Sequence, residues 1–141
     1  MPRHLVVANL TLGGQALREV LEQRVAAGSA RFHLLVPATP PVTGWGAHDE
    51  DTDTAAARER LEKAMARVEE LGAEEVTGET RPARPVDVIG DVLREQADDP
   101  FDEIILSTLP AGPSRWLAMD LPRRVARAHA IPLTHVEGPP E

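Results

Sequence analysis

Three short segments of the chain are almost wholly apolar, and they set the framework of the fold. They occupy Leu5 to Ala8, Phe32 to Val36 and Glu103 to Ser107. Short apolar runs of this kind are typical of strands buried on both faces. Two weaker segments, near Glu74 to Gly78 and Pro132 to Val136, predict further strands at the edges of the same sheet.

Apolar residues recur at helical spacing between these strands. Leu17, Val20, Leu21 and Val25 form one stripe, which predicts a helix from Gln15 that stops at Gly28. The same spacing predicts helices over Thr54 to Leu71 and Val86 to Gln96, a short one over Ser114 to Met119, and a last one from Leu121.

The resulting order, βαβαβαβαβ, predicts an α/β fold with a doubly wound, mainly parallel five-stranded sheet and helices on both faces. Apolar strands at the centre give the strand order 3-2-1-4-5. We expect one domain over 1–137 and a short C-terminal tail at 138–141. In this order the chain reverses between the first and fourth strands, whose carboxyl ends open a ligand crevice. Asn9 and Thr11 lie on one lip of it, and Ser107 and Thr108 on the other.

Composition and charge exclude several classes of protein. The chain has 23 acidic against 15 basic residues and a net charge of −8, which argues against a general nucleic-acid partner. It has no cysteine, so disulfides and thiolate metal sites are absent. No apolar run approaches a membrane span, and the start lacks the form of a signal peptide, so we expect a cytoplasmic protein without a membrane partner. A basic group in the last third, around Arg115 and Arg123, fits either a small anion or a solvated helix face.

Motifs for catalysis are missing from the sequence. It has no G-x-S-x-G turn, no P-loop and no HxGH motif, and its five histidines form no ligand pair. The acidic stretch from His48 to Asp53 lacks the glycine and the distant glutamate of a Ca²⁺ loop. It belongs to a long irregular segment, 38–53, which contains Trp45 and whose role the sequence leaves open. The expectation is a protein that is not an enzyme and holds no metal.

The segment from Ile104 to Val136 carries the most specific pattern. A strand, a loop with Gly112, a short helix, a second helix starting at Asp120 and a strand with a leading proline resemble the end of universal stress proteins. Residues Leu5 to Thr11 are similar to the opening strand of that family, and the matching order of elements covers nearly the whole chain. The resemblance implies an adenine nucleotide alpha hydrolase-like fold, a role in the stress response, and an adenine nucleotide in the crevice.

Nucleotide-binding members of the family have a loop of the form G-x-x-G-x9-G-S/T after the fourth strand. Its four defining positions correspond here to Ser107, Pro110, Asp120 and Leu121, so all four depart from the pattern. Pro110 has no N–H to donate. Asp120 is expected to cap the last helix, so that its carboxylate occupies the position of an anion. The acidic residue that binds ribose in the family corresponds to Asn9. These departures argue against an ordinary ATP site.

Other features favour a ligand. Arg115 supplies a positive charge next to the loop, and Ser107, Thr108 and Ser114 retain hydroxyl donors. Val36 and Pro37 match the adenine-side positions of the family, which act largely through backbone and shape, so adenine recognition is compatible with a lost triphosphate cradle. The predicted binding residues are Asn9, Thr11, Val36, Pro37, Ser107, Thr108, Gly112, Ser114, Arg115 and Asp120. Trp116 is expected to anchor the short helix to the sheet.

Two functions remain open at this point. The first is a non-catalytic domain of this kind that binds an adenine nucleotide or another small anion in the crevice. The second is an interaction module of the same fold that has lost the nucleotide and works as a homodimer. In both, the edge of the fifth strand pairs with its mate across a two-fold axis.

Overall fold

Five parallel strands form the centre of the molecule. The structure is a computed structural model, and it describes residues 1–38, 54–112 and 114–139. The strands are β1 (Arg3–Val7), β2 (Arg31–Pro37), β3 (Glu75–Arg81), β4 (Glu103–Thr108) and β5 (Leu133–Glu137). The helices are α1 (Gln15–Ala26), α2 (Thr54–Glu70), α3 (Pro85–Glu95), α4 (Arg115–Ala118) and α5 (Leu121–Ala128). Every predicted helix and strand is confirmed to within a few residues.

The strand order is β3-β2-β1-β4-β5, as predicted, and all four pairings are parallel. In the central register Val6 pairs with Leu34 on one side and with Ile105 on the other. The third strand is longer than its sequence indicated, because it runs on to Arg81 and pairs with β2 along its whole length. Polar residues are tolerated there because this edge strand is open to solvent on part of its surface.

Alternate residues of the strands build two separate cores, one on each face of the sheet. Val6 and Leu34 face α1 and α2. Leu5 and Val7 face α3, α4 and α5, where the fully buried Trp116 anchors α4 as expected. The prediction of helices on both faces is therefore confirmed, and the sheet is held between two apolar layers.

A glycine in the edge strand determines where α2 lies. A Cβ added at Gly78 would lie 2.7 Å from Cδ1 of Leu61 and 3.0 Å from Sδ of Met65, both on α2. Because Gly78 has no side chain, α2 lies directly on β3 at the edge of the sheet. A surface pocket lies over β2, between α1 and α2.

The largely buried carboxylate of Glu103 joins four elements at the amino end of β4. Glu103 accepts hydrogen bonds from Arg24 of α1 at 2.8 and 2.7 Å and one from Thr134 of β5, and its Oε1 lies 2.7 Å from Nδ1 of His4 of β1. Burial raises the pKa of Glu103, but the hydrogen bonds from Arg24 and Thr134 outweigh burial and lower it to about 2. Glu103 is thus ionised at neutral pH, and it lies at the opposite end of β4 from the crevice.

Part of the sequence interpretation lies outside the described residues. This holds for residues 39–53, which include Trp45 and the acidic stretch, and for 140–141 of the tail. The described part of the tail returns to the sheet, since the N–H of Gly138 donates to the carbonyl of Thr108 at 3.1 Å. Among the described residues no helix has the length and apolarity that a membrane crossing needs, and no His, Asp or Glu cluster has the arrangement of a metal site.

Candidate functional site

Asn9, the second residue after β1, lies between the end of β2 and the first turns of α2. Its side chain is almost completely buried. Its Nδ2 donates to the carbonyl of Pro37 at 3.1 Å, and its Oδ1 accepts a hydrogen bond from Nη1 of Arg60 at 2.7 Å. The ends of β1 and β2 are therefore joined through one amide, and a carboxylate could not replace it because it has no hydrogen to donate to the carbonyl of Pro37.

Arg60 of α2 is a residue of the site that the sequence interpretation missed. Its half-buried guanidinium brings a positive charge to the uncharged Asn9. The signal was present in the helical spacing, because Arg60 lies three residues after Ala57 and four before Ala64, both of which are buried. A residue on that stripe points towards the sheet, and near the start of α2 it points towards the carboxyl ends of the strands.

The two lips of the crevice meet through a pair of hydroxyls. Oγ1 of Thr11 lies 2.6 Å from Oγ of Ser107, and both side chains are buried. This contact shows that the segments after β1 and at the end of β4 lie against each other. It also means that each hydroxyl already has the other as a hydrogen-bond partner.

The side chain of Thr108 points towards β5, away from Thr11 and Ser107. Successive side chains of a strand point to opposite faces, so Thr108 faces away from Ser107. Its hydroxyl lies 2.9 Å from Nε2 of His135 on β5 and donates to the carbonyl of Leu109 at 2.8 Å. The structure thus places Thr108 beside β5, apart from the group formed by Asn9, Thr11 and Ser107.

The two residues at the end of β2 contribute mainly through their backbone. The side chain of Val36 is fully buried in the core under α1 and α2. Pro37 presents its carbonyl to Asn9, and the next residue, Ala38, donates its N–H to the carbonyl of Arg81 at 2.9 Å. The end of β2 is therefore held in a fixed position on both sides.

The loop between β4 and α4 obtains its turn from Gly112. This residue has φ of +105°, a left-handed conformation that glycine adopts without strain. Ser114 is buried and caps α4, since its Oγ accepts the N–H of Leu117 at 3.1 Å. Arg115 is the first residue of α4 and is exposed. Ser114 is thus a structural cap, while Arg115 lies on the exposed surface of α4.

The interpretation of Asp120 needs a correction. Asp120 precedes α5 as predicted, but its carboxylate makes no capping hydrogen bond. The physical reason is its backbone, because φ of +58° and ψ of +38° are left-handed, whereas a capping side chain needs an extended backbone to turn back over the helix. The carboxylate instead lies 3.8 Å from Nε of Arg123 at the surface. It therefore does not fill the position of an anion at the start of α5.

Another polar cluster lies at the far side of the sheet, on β2 and β3. Nδ1 of the buried His33 lies 2.6 Å from Oγ1 of Thr77, and its Nε2 lies 2.7 Å from Oε2 of Glu79. Burial lowers the pKa of His33, although Glu79 opposes the effect. A neutral ring that accepts from Thr77 and donates to Glu79 satisfies both contacts, and this arrangement explains why polar residues occupy β3.

Among the described residues, Asn9, Thr11 and Ser107 bring neutral hydrogen-bonding groups to the carboxyl ends of β1 and β4, and Arg60 brings a guanidinium. Such a set suits binding of a small polar anion at the carboxyl ends of β1 and β4, where ligands of doubly wound folds bind.

Solved structures share this fold over nearly their whole length. A universal stress protein in complex with cAMP aligns with a TM-score of 0.62 and 20% identity, covering 97% of this chain and 98% of that one. A universal stress protein family protein from Arabidopsis thaliana with AMP bound aligns with a TM-score of 0.67 and 16% identity, covering 99% and 93%. A third structure, of a hypothetical protein, aligns with a TM-score of 0.58 and 21% identity, covering 99% of this chain and 98% of that one. No protein-family model and no curated protein matches the chain. The resemblance to universal stress proteins is thus confirmed for the fold.

Proposed function

We propose that the chain is a non-catalytic domain of the universal stress protein type that binds an adenine nucleotide, or another small anion, in the crevice. The observation that carries the proposal is the hydrogen bond from Arg60 to Asn9 at the end of β1. It adds a positive charge to the neutral group formed by Asn9, Thr11 and Ser107, and a guanidinium is well suited to phosphate. The protein would act in the cytoplasm, in the response to stress.

The loop after β4 favours a nucleotide with few phosphates. Pro110 has no N–H to offer, and the exposed carboxylate of Asp120 adds negative charge next to α5. A triphosphate would lack the row of backbone donors that it needs, whereas a monophosphate needs fewer contacts. The AMP and cAMP in the two named structures belong to those proteins, and they make these two ligands the first to test.

Calorimetric titration with AMP, cAMP, ADP and ATP tests the proposal. We expect AMP or cAMP to bind and Arg60→Ala to weaken that binding by about tenfold or more, because a charge-assisted hydrogen bond contributes about 1.5–3 kcal/mol. Arg58→Ala is the matched control, since Arg58 is an exposed arginine of the same helix. Amide shifts on binding should include Asn9, Ala38 and Ser107. Inorganic phosphate, titrated in the same way, stands for the other small anions, and absence of binding by phosphate and by all four nucleotides would overturn the proposal.

The second candidate is a homodimeric interaction module, and one observation favours it. β5 forms an edge of the sheet, and Leu133, Thr134 and His135 are only half-buried. Open edges of this kind invite pairing with a second strand, and the mate in a two-fold dimer is the same strand. Sedimentation at micromolar concentration measures the oligomeric state and so tests this candidate. A monomer under these conditions would contradict it.

A further inference from the structure

Arg60 brings unused hydrogen-bond donors to the carboxyl ends of β1 and β2. Its planar guanidinium carries several N–H groups, and Nη1 donates to Oδ1 of Asn9 at 2.7 Å. In the part of the chain that the structure describes, Arg60 makes no other hydrogen bond or ion pair. Because its side chain is only half-buried, the remaining donors can meet a ligand from the solvent side.

Asn9 fixes this guanidinium on the side of β1 that faces β2. The amide of Asn9 is 1% exposed, and its Nδ2 donates to the carbonyl of Pro37 at 3.1 Å. The amide cannot rotate without losing its contacts with both Pro37 and Arg60. The position of the positive charge is therefore set by a buried group at the end of β2, and a ligand meets a donor that is already oriented.

The polar side chains on the β4 side are already paired. The hydroxyls of Thr11 and Ser107 lie 2.6 Å apart and bond to each other. Oγ of Ser114 accepts a backbone N–H of α4 at 3.1 Å. A phosphate on that side would have to displace these contacts, whereas a phosphate on the β2 side finds the free donors of Arg60.

The end of β2 has a general meaning in doubly wound folds, because the ribose of a bound nucleotide lies beside it. An acidic residue there accepts the 2′-hydroxyl, whereas an arginine there accommodates a phosphate on the same oxygen. The side-chain hydrogen bonds of Asn9 with described residues involve no acidic group, and the charge that they bring is the guanidinium of Arg60. The electrostatics of this end therefore favour a phosphorylated ribose.

We infer, on the basis of the proposed function, that the site selects an adenine nucleotide with a phosphate on the 2′ or 3′ oxygen of its ribose. This phosphate accepts hydrogen bonds from the guanidinium of Arg60, which Asn9 holds in place. The two ribose oxygens are neighbours, so one guanidinium reaches a phosphate on either. AMP and ADP carry phosphate on the 5′ oxygen alone, so they present only ribose hydroxyls to Arg60 and make a weaker contact.

Calorimetric titration with adenosine 2′,5′-bisphosphate and adenosine 3′,5′-bisphosphate tests the inference. ADP is the matched control, since it has the same number of phosphates with both on the 5′ side. We expect at least one bisphosphate to bind about tenfold more tightly than ADP, because its ribose phosphate gains a charge-assisted hydrogen bond. The Nε–H resonance of Arg60 should shift more with that bisphosphate than with ADP.

The two possible failures can be told apart. If ADP binds as tightly as both bisphosphates, or more tightly, the preference for a phosphorylated ribose is wrong and the proposed function stands. If no nucleotide binds, the inference fails together with the nucleotide part of the proposed function.

Variants of α2 assign the preference to Arg60. Arg60→Ala should reduce the ratio of the dissociation constants of ADP and the bisphosphate from about ten to about one. Arg58→Ala, at an exposed position of the same helix, should leave this ratio unchanged. If Arg60→Ala does not fold, as judged by circular dichroism, Arg60→Gln takes its place, because it removes the charge and keeps a donor for Asn9. A preference that survives in either folded variant would contradict the inference.

Discussion

The hydroxyl of Thr11 lies 2.6 Å from the hydroxyl of Ser107, across the junction of β1 and β4. Both residues are buried, so each hydroxyl depends on the other for its hydrogen bond. Thr11→Val should destabilise the protein by about 1–2 kcal/mol, because the hydroxyl of Ser107 is left buried and unpaired. The measurement is urea unfolding of Thr11→Val, Ser107→Ala and the double variant. The cost of the double variant should be smaller than the sum of the two single costs, and simple additivity would show that the pair does not interact.

The charge of Arg60 should control which residue is tolerated at position 9. Asn9→Asp replaces the donor to the carbonyl of Pro37 with a carboxylate oxygen 3.1 Å away, which repels it, while Arg60 attracts the new charge. We expect a loss of about 1–3 kcal/mol in the native background and a larger loss in an Arg60→Ala background. Unfolding free energies of the four proteins give the comparison. An equal cost in both backgrounds would mean that Arg60 does not contact position 9.

Two glycine-to-alanine substitutions should have opposite effects on stability. Gly78→Ala places a Cβ 2.7 Å from Leu61 and 3.0 Å from Met65, so the core under α2 must shift, at a cost of about 1–3 kcal/mol. Gly90→Ala is the control, because it lies inside α3 and its Cβ would meet only the flexible end of Arg94, at 3.3 Å. Gly90→Ala should stabilise the protein by about 0.5–1 kcal/mol through helix propensity. Thermal unfolding of both variants tests the pair, and a stable Gly78→Ala protein would contradict the packing of α2 on β3.

The ionised state of Glu103 should contribute to stability in a defined pH range. Its pKa is about 2 in the folded protein, against 4.5 for an ordinary glutamate, so the unfolded chain takes up its proton first as the pH falls. The contribution is therefore fully present above pH 4.5 and is lost progressively down to about pH 2. Glu103→Gln should cost about 3 kcal/mol at pH 7 and should flatten the pH dependence across this range. Denaturant unfolding between pH 7 and pH 2 shows whether the two curves converge in acid, as expected.

Protonation of His33 should affect the stability of the fold in a higher pH range than that of Glu103. Because burial lowers its pKa below 6.5, the unfolded chain binds the proton first, and protonation costs stability as the pH falls through 6.5. NMR titration of the ring should give a pKa below 6.5, and His33→Gln should remove part of the loss of stability between about pH 6.5 and 5. A pKa above 6.5 would show that the attraction of Glu79 exceeds the cost of burial.

The order and bounds of the elements could be predicted because they depend on local patterns. The apolar runs around Val6, Leu34 and Ile105 define the central strands, and the reversal of the chain between β1 and β4 places Thr11 near Ser107. The length of β3 was less predictable, since its polar residues are stabilised by His33, a partner 44 residues away in sequence.

The details of the site depended on geometry that spacing does not give. Arg60 reaches Asn9 because of the height and rotation of α2 on the sheet, which follow from packing with Gly78. Asp120 is a preferred capping residue by type, and only its left-handed backbone shows that it does not cap. Ser107 and Thr108 are neighbours in sequence, yet strand alternation assigns one to the crevice and the other to His135.

The left-handed backbone at Asp120 has an evolutionary consequence. Glycine adopts φ of +58° freely, so Asp120→Gly requires no movement of the chain before α5 and removes one negative charge. In the genetic code an aspartate codon becomes a glycine codon by one base change. A single base change can therefore remove this negative charge at the start of α5 and leave the backbone of the loop as it is.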